Sequence, residues 1–263
     1  MTRRLYRRER LSEIVKQLQQ TGYVSVAELS EDFGVSAVTV RADLDALEEA
    51  GQLLRTHGGA VPITRGEDAL SFSVRQRLYA PAKDRIGAAA AELVADGQAV
   101  ILDASTTAWH MARHLLARRE VTVLTTGLYV ALELLRSPSI TVMVPGGVVW
   151  REAAAACGPW DRSMVEEGHF QRAFFGGRGL NLVDGLTDAH QDEAALKRQL
   201  AKHVRELNVI LDATKIAKMA FATLATVEQI DRVITSAADP APSPEGQRVL
   251  DGLRERGVEI VAV

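Results

Sequence analysis

Cysteine is nearly missing from this sequence. Cys157 stands alone among 263 residues, which excludes an internal disulfide and a thiolate metal cluster and suits a reducing compartment. No apolar run approaches the roughly 20 residues a membrane helix needs. The basic start, residues 1–10, is not followed by the apolar core of a secretory leader, so the chain is expected in the cytoplasm, away from membranes. Charge of one sign is lacking too. The net charge of −3 does not announce a nucleic-acid partner, although a whole-chain total can hide a local basic footprint.

Signatures of cofactors are also missing. No loop ends in Gly-Lys-Ser/Thr, and Gly177-x-Gly179 runs on to Leu182, where a dinucleotide fingerprint needs glycine or alanine. His110 and His114 have the spacing of helical metal ligands but no evident carboxylate or third ligand. Neither a metal nor a cofactor is expected. Trp109, Trp150 and Trp160 read as core or interface residues rather than a stacking platform. What remains, 47% apolar and 25% charged residues, is the composition of a globular protein with ample core.

The first sixty residues carry three helical signals. Leu11, Ile14, Val15 and Leu18 form one apolar stripe that stops at Thr21-Gly22. Ser25 and Glu28 form a capping box that opens a short helix burying Val26, Leu29 and Phe33 and ending at Gly34. Ser36 caps a third helix, predicted to reach Ala50 and stop at Gly51, so only Gly34-Val35-Ser36 separates helices two and three. That is a helix-turn-helix.

On the third helix Ala37, Val40, Leu44 and Leu47 share the inner face. Val38, Thr39, Arg41 and Ala42 are left to meet a groove. Arg41 and Thr39 can reach base edges or phosphate, and Val38 or Ala42 can pack on a thymine methyl. Asp45, Glu48 and Glu49 fall in later turns, away from a duplex. The stretch Leu53 to Val61 reads as a β-wing around Gly58-Gly59 that brings Arg55 and His57 near phosphates. Residues 1–62 hold eight basic and nine acidic side chains, yet Arg3, Arg4, Arg7, Arg8 and Arg10 face only Glu9 in the first ten. This arginine run reads either as a phosphate-tracking arm or as a solvated tail. From pattern alone the domain could instead bind protein.

Residues 62–75 lack periodicity and read as a linker, giving domains at 1–61 and 76–263. Beyond it, apolar runs at 99–102, 121–124, 140–144, 173–175, 209–211, 232–234 and 259–263 alternate with helical patterns. That alternation specifies an α/β domain with a largely parallel sheet. Ligands bind at the carboxyl ends of such strands. The residues there are Asp103 with Ser105, Thr106 and Thr107, then Thr125 and Thr126, Gly146 and Gly147, Gly176, Gly177 and Arg178, and Asp212 with Lys215. Hydroxyls and glycines that open backbone amides, with a helix N-terminus after Ser105, suit a phosphate on a sugar or polyol. Glu193 and Lys197, at i and i+4, read either as an exposed helix pair or as part of that site.

Two sets of residues resemble a known family. Val35 to Leu44, Leu47-Glu48 and Arg55 to Ala60 resemble the signature of the deoxyribose-operon repressor (DeoR) family. Asp103-x-x-Thr106-Thr107, Gly146-Gly147, Phe175-Gly176, Gly185-Leu186-Thr187, Glu193 with Lys197, and Asp212-x-x-Lys215 follow the order of that family's C-terminal domain. The likeness covers essentially the full chain. Departures are Ala42 where a second arginine is usual, Ser105 and Ala217 where glycine is usual, and Thr126 for asparagine. The resemblance implies an N-terminal winged helix-turn-helix for operator DNA, with Ser36 among its contact residues, and a sensor domain similar to ribose-5-phosphate isomerase and glucosamine-6-phosphate deaminase folds. It implies a repressor of carbohydrate metabolism, expected as a homo-oligomer, that answers to a phosphorylated sugar or polyol. A sugar-phosphate isomerase or deaminase is the rival reading, because acids and a lysine transfer protons in such enzymes.

Overall fold

The computed structural model describes residues 6–49, 52–56, 58–62, 72–151, 153–159 and 162–263. The chain divides into two units, Met1–Tyr79 and Ala80–Val263. Arg3, Arg4, the expected helix stop at Gly51, His57, Trp160 and residues 63–71 of the expected linker lie outside the described residues.

In the first unit the expected apolar stripe forms α1 (Arg7–Thr21), closed by Gly22 at φ 72°. Strand β1 (Val24–Ser25) leads into α2 (Val26–Phe33). Ser25 Oγ accepts from the Glu28 amide at 3.0 Å and donates to Glu28 Oε2 at 2.9 Å, so the two side chains bond each other at the helix start. Gly34, at φ 61°, turns the chain toward α3 (Ala37–Glu49). The wing is β2 (Leu54–Thr56) and β3 (Gly59–Val61), and β1 joins it to give an antiparallel sheet in the order β1-β3-β2. A Cβ at Gly59 would stand 1.9 Å from the Val24 carbonyl, so this pairing demands glycine. Ile14, Leu18, Leu29, Phe33, Val40, Leu44, Leu47, Leu53 and Ala60 form the core. A further helix, α4 (Phe72–Arg77), occupies part of the stretch read as linker. Its six residues are under two turns, too short for a helical period to register. Val74 and Leu78 pack with Tyr23 and Val61.

One expectation is corrected. Arg10 does not lie along phosphates: it is 7% exposed, and its Nε donates to Asp43 Oδ2 at 2.5 Å, with Arg7 Nε 3.4 Å from Oδ1. Helix α1 begins at Arg7, earlier than the apolar stripe, and carries Arg10 onto α3.

The second unit opens with α5 (Ala80–Glu92) and continues β4 (Ala99–Leu102), α6 (Thr106–Leu115), β5 (Val121–Thr125), α7 (Leu128–Leu134) and β6 (Ile140–Met143). A hairpin follows, β7 (Val148–Trp150) and β8 (Ala155–Cys157), then α8 (Ser163–Glu166) and β9 (Phe170–Phe175). Next come β10 (Gly179–Asn181), β11 (Gly185–Asp188), α9 (Gln191–Ala201), β12 (Val204–Ile210), β13 (Ala222–Ala225), β14 (Arg232–Thr235), α10 (Pro244–Glu255) and β15 (Glu259–Ala262). All seven predicted runs lie in one sheet of order β15-β14-β12-β9-β4-β5-β6, every pair parallel. Apolar clusters cover both faces, which is why the strands read as continuous apolar runs. Helices α5 and α6 touch backbone to backbone, since a Cβ at Gly87 would stand 2.6 Å from the Met111 nitrogen. Strands β10, β11 and β13 form a separate antiparallel sheet. Among the described residues no helix is long and apolar enough to cross a membrane.

Removing Asp43 breaks the ion pair of the buried Arg10, and breaking a buried pair typically costs about 3–5 kcal/mol. Asp43→Ala should therefore lower the unfolding free energy of the first unit by that order in chemical denaturation of the full chain. A loss under about 0.5 kcal/mol, the scale of an ordinary surface change, would show that the pair does not hold α1 to α3.

Candidate functional site

Helix α3 buries Val40, Asp43, Leu44 and Leu47. Val38 is 73% exposed, Arg41 and Ala42 are exposed, and Thr39 is half-buried. Ser36 Oγ accepts from the Thr39 amide at 3.2 Å and lies 2.9 Å from Thr39 Oγ1, so Ser36 caps the helix and steadies Thr39. Arg55 is engaged inside the unit. Its Nη1 donates to Asp45 Oδ1 at 2.5 Å and to the Arg41 carbonyl at 2.9 Å, while its amide donates to Glu48 Oε1 at 2.7 Å. The wing is thereby fastened to α3, and two acids of α3 are occupied.

In the second unit the strand-end residues converge on one ammonium. Lys197 Nζ lies 2.8 Å from Asp103 Oδ2, 2.8 Å from Asp188 Oδ2 and 3.1 Å from Glu193 Oε1. Asp103 follows β4, Asp188 ends β11, and Glu193 and Lys197 sit on α9. All four are buried, which overturns the exposed-pair reading of Glu193 and Lys197. The helix face that carries them packs inward against the sheet. Asp103 also accepts from the Gly176 amide at 2.8 Å and the Ser105 amide at 3.1 Å, joining the ends of β4 and β9. A Cβ at Gly176 would stand 2.6 Å from Ser105 Cβ, so Ser105 fits because its neighbour is glycine.

Burial would lower the Lys197 pKa, but Asp103, Asp188 and Glu193 reverse this and hold it well above the ordinary lysine value. Burial also pushes Asp188 up, yet the charge and hydrogen bond of Lys197 outweigh it and leave the carboxyl below its usual range. Glu193 goes the other way. Burial, followed by repulsion from Asp188 and Asp103, raises it despite the pull of Lys197.

The other candidates divide. Ser105 Oγ accepts from the Ala108 amide at 3.1 Å and caps α6, whose first residues, Thr106 and Thr107, are buried. Thr125 Oγ1 accepts from the Gly127 amide at 3.1 Å, and Thr126 Oγ1 is buried with no hydrogen-bond partner among the described residues. Gly177 and Arg178 are half-buried, and the Arg178 amide donates to the Thr187 carbonyl at 2.8 Å. Asp212 accepts from the amide and hydroxyl of Thr214 and caps a 3-10 turn that carries Lys215. Gly146 and Gly147 are exposed at φ 77° and 102° and start the β7–β8 hairpin, Gly147 lying against the Cys157 carbonyl. Among the described residues no hydrogen bond or ion pair joins those two glycines to the Lys197 cluster. Ala217, where the family resemblance expects glycine, has φ 63°, a left-handed conformation that explains the preference.

Sequence reading missed Asp188 as a member of the cluster, because strand β11 is only four residues long. It also missed a carboxylate beside the histidines: Asp84 Oδ1 lies 3.5 Å from His110 Nδ1 and 3.2 Å from His114 Nε2. Their hydrogen bonds outweigh burial and hold Asp84 below its ordinary value. Among the described residues no group of three or more histidine, cysteine, aspartate or glutamate side chains is placed to hold a metal.

The opposite shifts of Glu193 and Asp188 give opposite pH effects. Glu193 holds its proton more tightly folded than unfolded, so its contribution is complete below the ordinary glutamate range and declines as pH rises through the folded value. Asp188 contributes above its ordinary range and loses that contribution as pH falls. Glu193→Gln fixes the neutral form, and its melting temperature should fall less than that of wild type as pH is raised from the glutamate range. Parallel profiles would mean that Glu193 ionises normally.

Comparison with known proteins agrees with both units. Residues 10–65 match the DeoR-like helix-turn-helix domain and residues 79–237 the DeoR C terminal sensor domain. The HTH-type transcriptional regulator GolR of Listeria innocua is 38% identical, covering 86% of this chain and 89% of its own. A putative aga operon transcriptional repressor of Escherichia coli is 32% identical over 97% of this chain and 93% of its own. The transcriptional repressor GlcR of Bacillus subtilis is 32% identical over 98% and 96%. Among solved structures, ribose 5-phosphate isomerase A of Methanocaldococcus jannaschii aligns with 52% of this chain and 54% of its own at TM-score 0.39 and 18% identity. With both of its units matched and relatives aligned over nearly its whole length, the chain belongs to the DeoR family of transcriptional regulators.

Proposed function

We propose that this regulator is a repressor that reads operator DNA with the exposed face of α3, and that a phosphorylated sugar or polyol at the carboxyl end of the parallel sheet sets its affinity for the operator. One observation carries the reading: a single chain joins an outward-facing helix bearing Val38, Thr39, Arg41 and Ala42 to a buried strand-end cluster around Lys197. The names of relatives, an aga operon repressor among them, support a carbohydrate operon as target. The capped start of α6 supports a phosphate, because a helix N-terminus presents amides and positive potential to an anion. The ligand acts as a signal and not as a substrate. Asp103, Asp188 and Glu193, the acids that could move a proton, are bound to Lys197. A homo-oligomer in the cytoplasm completes the proposal, since helix-turn-helix dimers place their heads about 34–36 Å apart on paired half-sites.

Arg41→Ala removes the exposed cation of the reading face, so operator affinity by fluorescence anisotropy should fall by about 1–3 kcal/mol while ligand binding stays unchanged. Equal affinities would remove Arg41 from the interface. In gel shifts with pentose, hexose and polyol phosphates, one ligand should change wild-type operator affinity, and the same mixtures should yield no product above background. Thr106→Ala with Thr107→Ala should leave operator binding intact but insensitive to that ligand, because charge-assisted bonds of about 1.5–3 kcal/mol each are lost. A double variant that responds at the wild-type ligand concentration would exclude the loop, and rapid turnover would favour an enzyme.

A further inference from the structure

The parallel sheet has two edges, and they are built differently. Strand β15 ends one side. Its exposed Glu259 accepts from Arg232 Nη2 at 2.6 Å. The helix beside it, α10, turns Glu245, Arg248, Asp251, Arg254 and Glu255 to solvent and no large apolar residue. Charged side chains of this kind keep an open edge from pairing with another chain.

Strand β6 ends the other side, and among the described residues no strand pairs with its outer edge. Ile140, Thr141, Val142 and Met143 bring neither charge nor proline to that edge. Helix α7 flanks it. The helix buries Val130, Ala131 and Leu134, yet Leu132 is 63% exposed, Leu135 at its C-terminal cap 64% and Tyr129 45%. Spaced by three residues, these side chains form an outward apolar flank. An unguarded edge beside such a flank marks a surface for protein contact.

Whatever closes this edge has to supply a strand edge and an apolar surface side by side, and a second copy supplies both. A two-fold axis perpendicular to the sheet sets β6 antiparallel to the partner's β6 and brings the two α7 helices together on one face of the joined sheet. A lone extended peptide would take the edge and leave the helix flank in water. The charges also suit self-association. Like surfaces meet in such an interface, so an unpaired charge at the axis would face its own sign. Strand β6 is neutral, and Arg136, just beyond α7, donates to Glu133 of its own chain at 2.5 Å.

We infer that the β6 edge and the outer flank of α7 form a two-fold interface between copies of this chain, joining two seven-stranded sheets into one. The inference deepens the homo-oligomer proposed above and rests on that part of the reading alone, since it needs no ligand.

The test is the mass of the full-length protein by light scattering after gel filtration. Leu132→Glu with Leu135→Glu places two carboxylates on a flank that is exposed in the single chain, and an unaltered far-UV circular dichroism spectrum reports that the fold is kept. The double variant should lower the mass of the wild-type assembly, to a monomer from a dimer or to half from a tetramer. Its dissociation constant should rise by about a hundredfold or more, the scale of like charges set against each other. Thr141→Lys, at an exposed position of β6, should act in the same direction without touching α7, and decides alone if the double variant does not fold. Val183→Glu, at a 91% exposed site in the turn between β10 and β11, should keep the wild-type mass. Wild type that is oligomeric while either folded charge variant on this face keeps its mass overturns this interface and leaves the oligomer to some other surface. Wild type that is monomeric, with and without operator DNA, overturns the homo-oligomer and this inference together.

Discussion

Three carboxylates share one ammonium at the carboxyl end of the sheet, and the shape of that end depends on it. Asp103, Asp188 and Glu193 arrive from the β4–α6 turn, from the end of β11 and from α9, and each finds its partner in Lys197. A buried ion costs several kcal/mol unless it is paired, so these elements are stable in this arrangement only together. Carboxylates outnumber the cation, and the upward shift of Glu193 relieves the excess by favouring its neutral form. Through the Gly176 amide, Asp103 extends the same order to the end of β9.

The first unit solves a related problem on its reading helix. Acidic residues on α3 would repel a duplex, and Asp43, Asp45 and Glu48 are all there. Arg10 pairs with Asp43 beneath the helix, and Arg55 of the wing takes Asp45 through its side chain and Glu48 through its amide. Arg41 is left exposed. Which acids are paired and which cation is exposed is set by the fold, and this is why the charge total of the segment was uninformative.

The legible parts of the fold are those whose signal is local. Seven strands buried on both faces show as apolar runs, and α2 shows through Ser25 and Glu28 because a capping box spans four residues. The antiparallel strands β10, β11 and β13 have three or four residues each, too few for a period-two pattern to rise above turn composition. The Lys197 cluster was half visible. Glu193 and Lys197 announced a helical pair, and Asp103 a strand end, but the 84 residues between Asp103 and Asp188 carry no pattern that pairs them. Only the register of the folded sheet does so. Arg10 was misplaced for the same reason: its partner Asp43 is distant in sequence, and basic residues near a chain start look alike whether solvated or buried.

A ligand that alters operator affinity must bind two states of the protein unequally, and linkage requires operator DNA to alter the ligand's affinity by the same factor. The Lys197 cluster is a poor candidate for the part that changes, since any second arrangement would leave a buried charge without its partner. The contact between α5 and α6 is different in kind. Beyond the glycine crossing it joins a buried apolar seam, with Ile86, Ala90, Met111 and Ala112 in one cluster, to an exposed set of Asp84 with two histidines and Arg113 at 3.2 to 3.5 Å, Asp84 being 44% exposed. Surface pairs of this type contribute only about 0–1 kcal/mol, so they can be exchanged for ligand contacts at small cost. Helix α5 is also the first element of the second unit, starting at Ala80 where the first unit ends at Tyr79. On the proposed reading, a coupling of about 1–3 kcal/mol, the usual allosteric range, can come from exchanging these exposed pairs while the Lys197 cluster stays fixed.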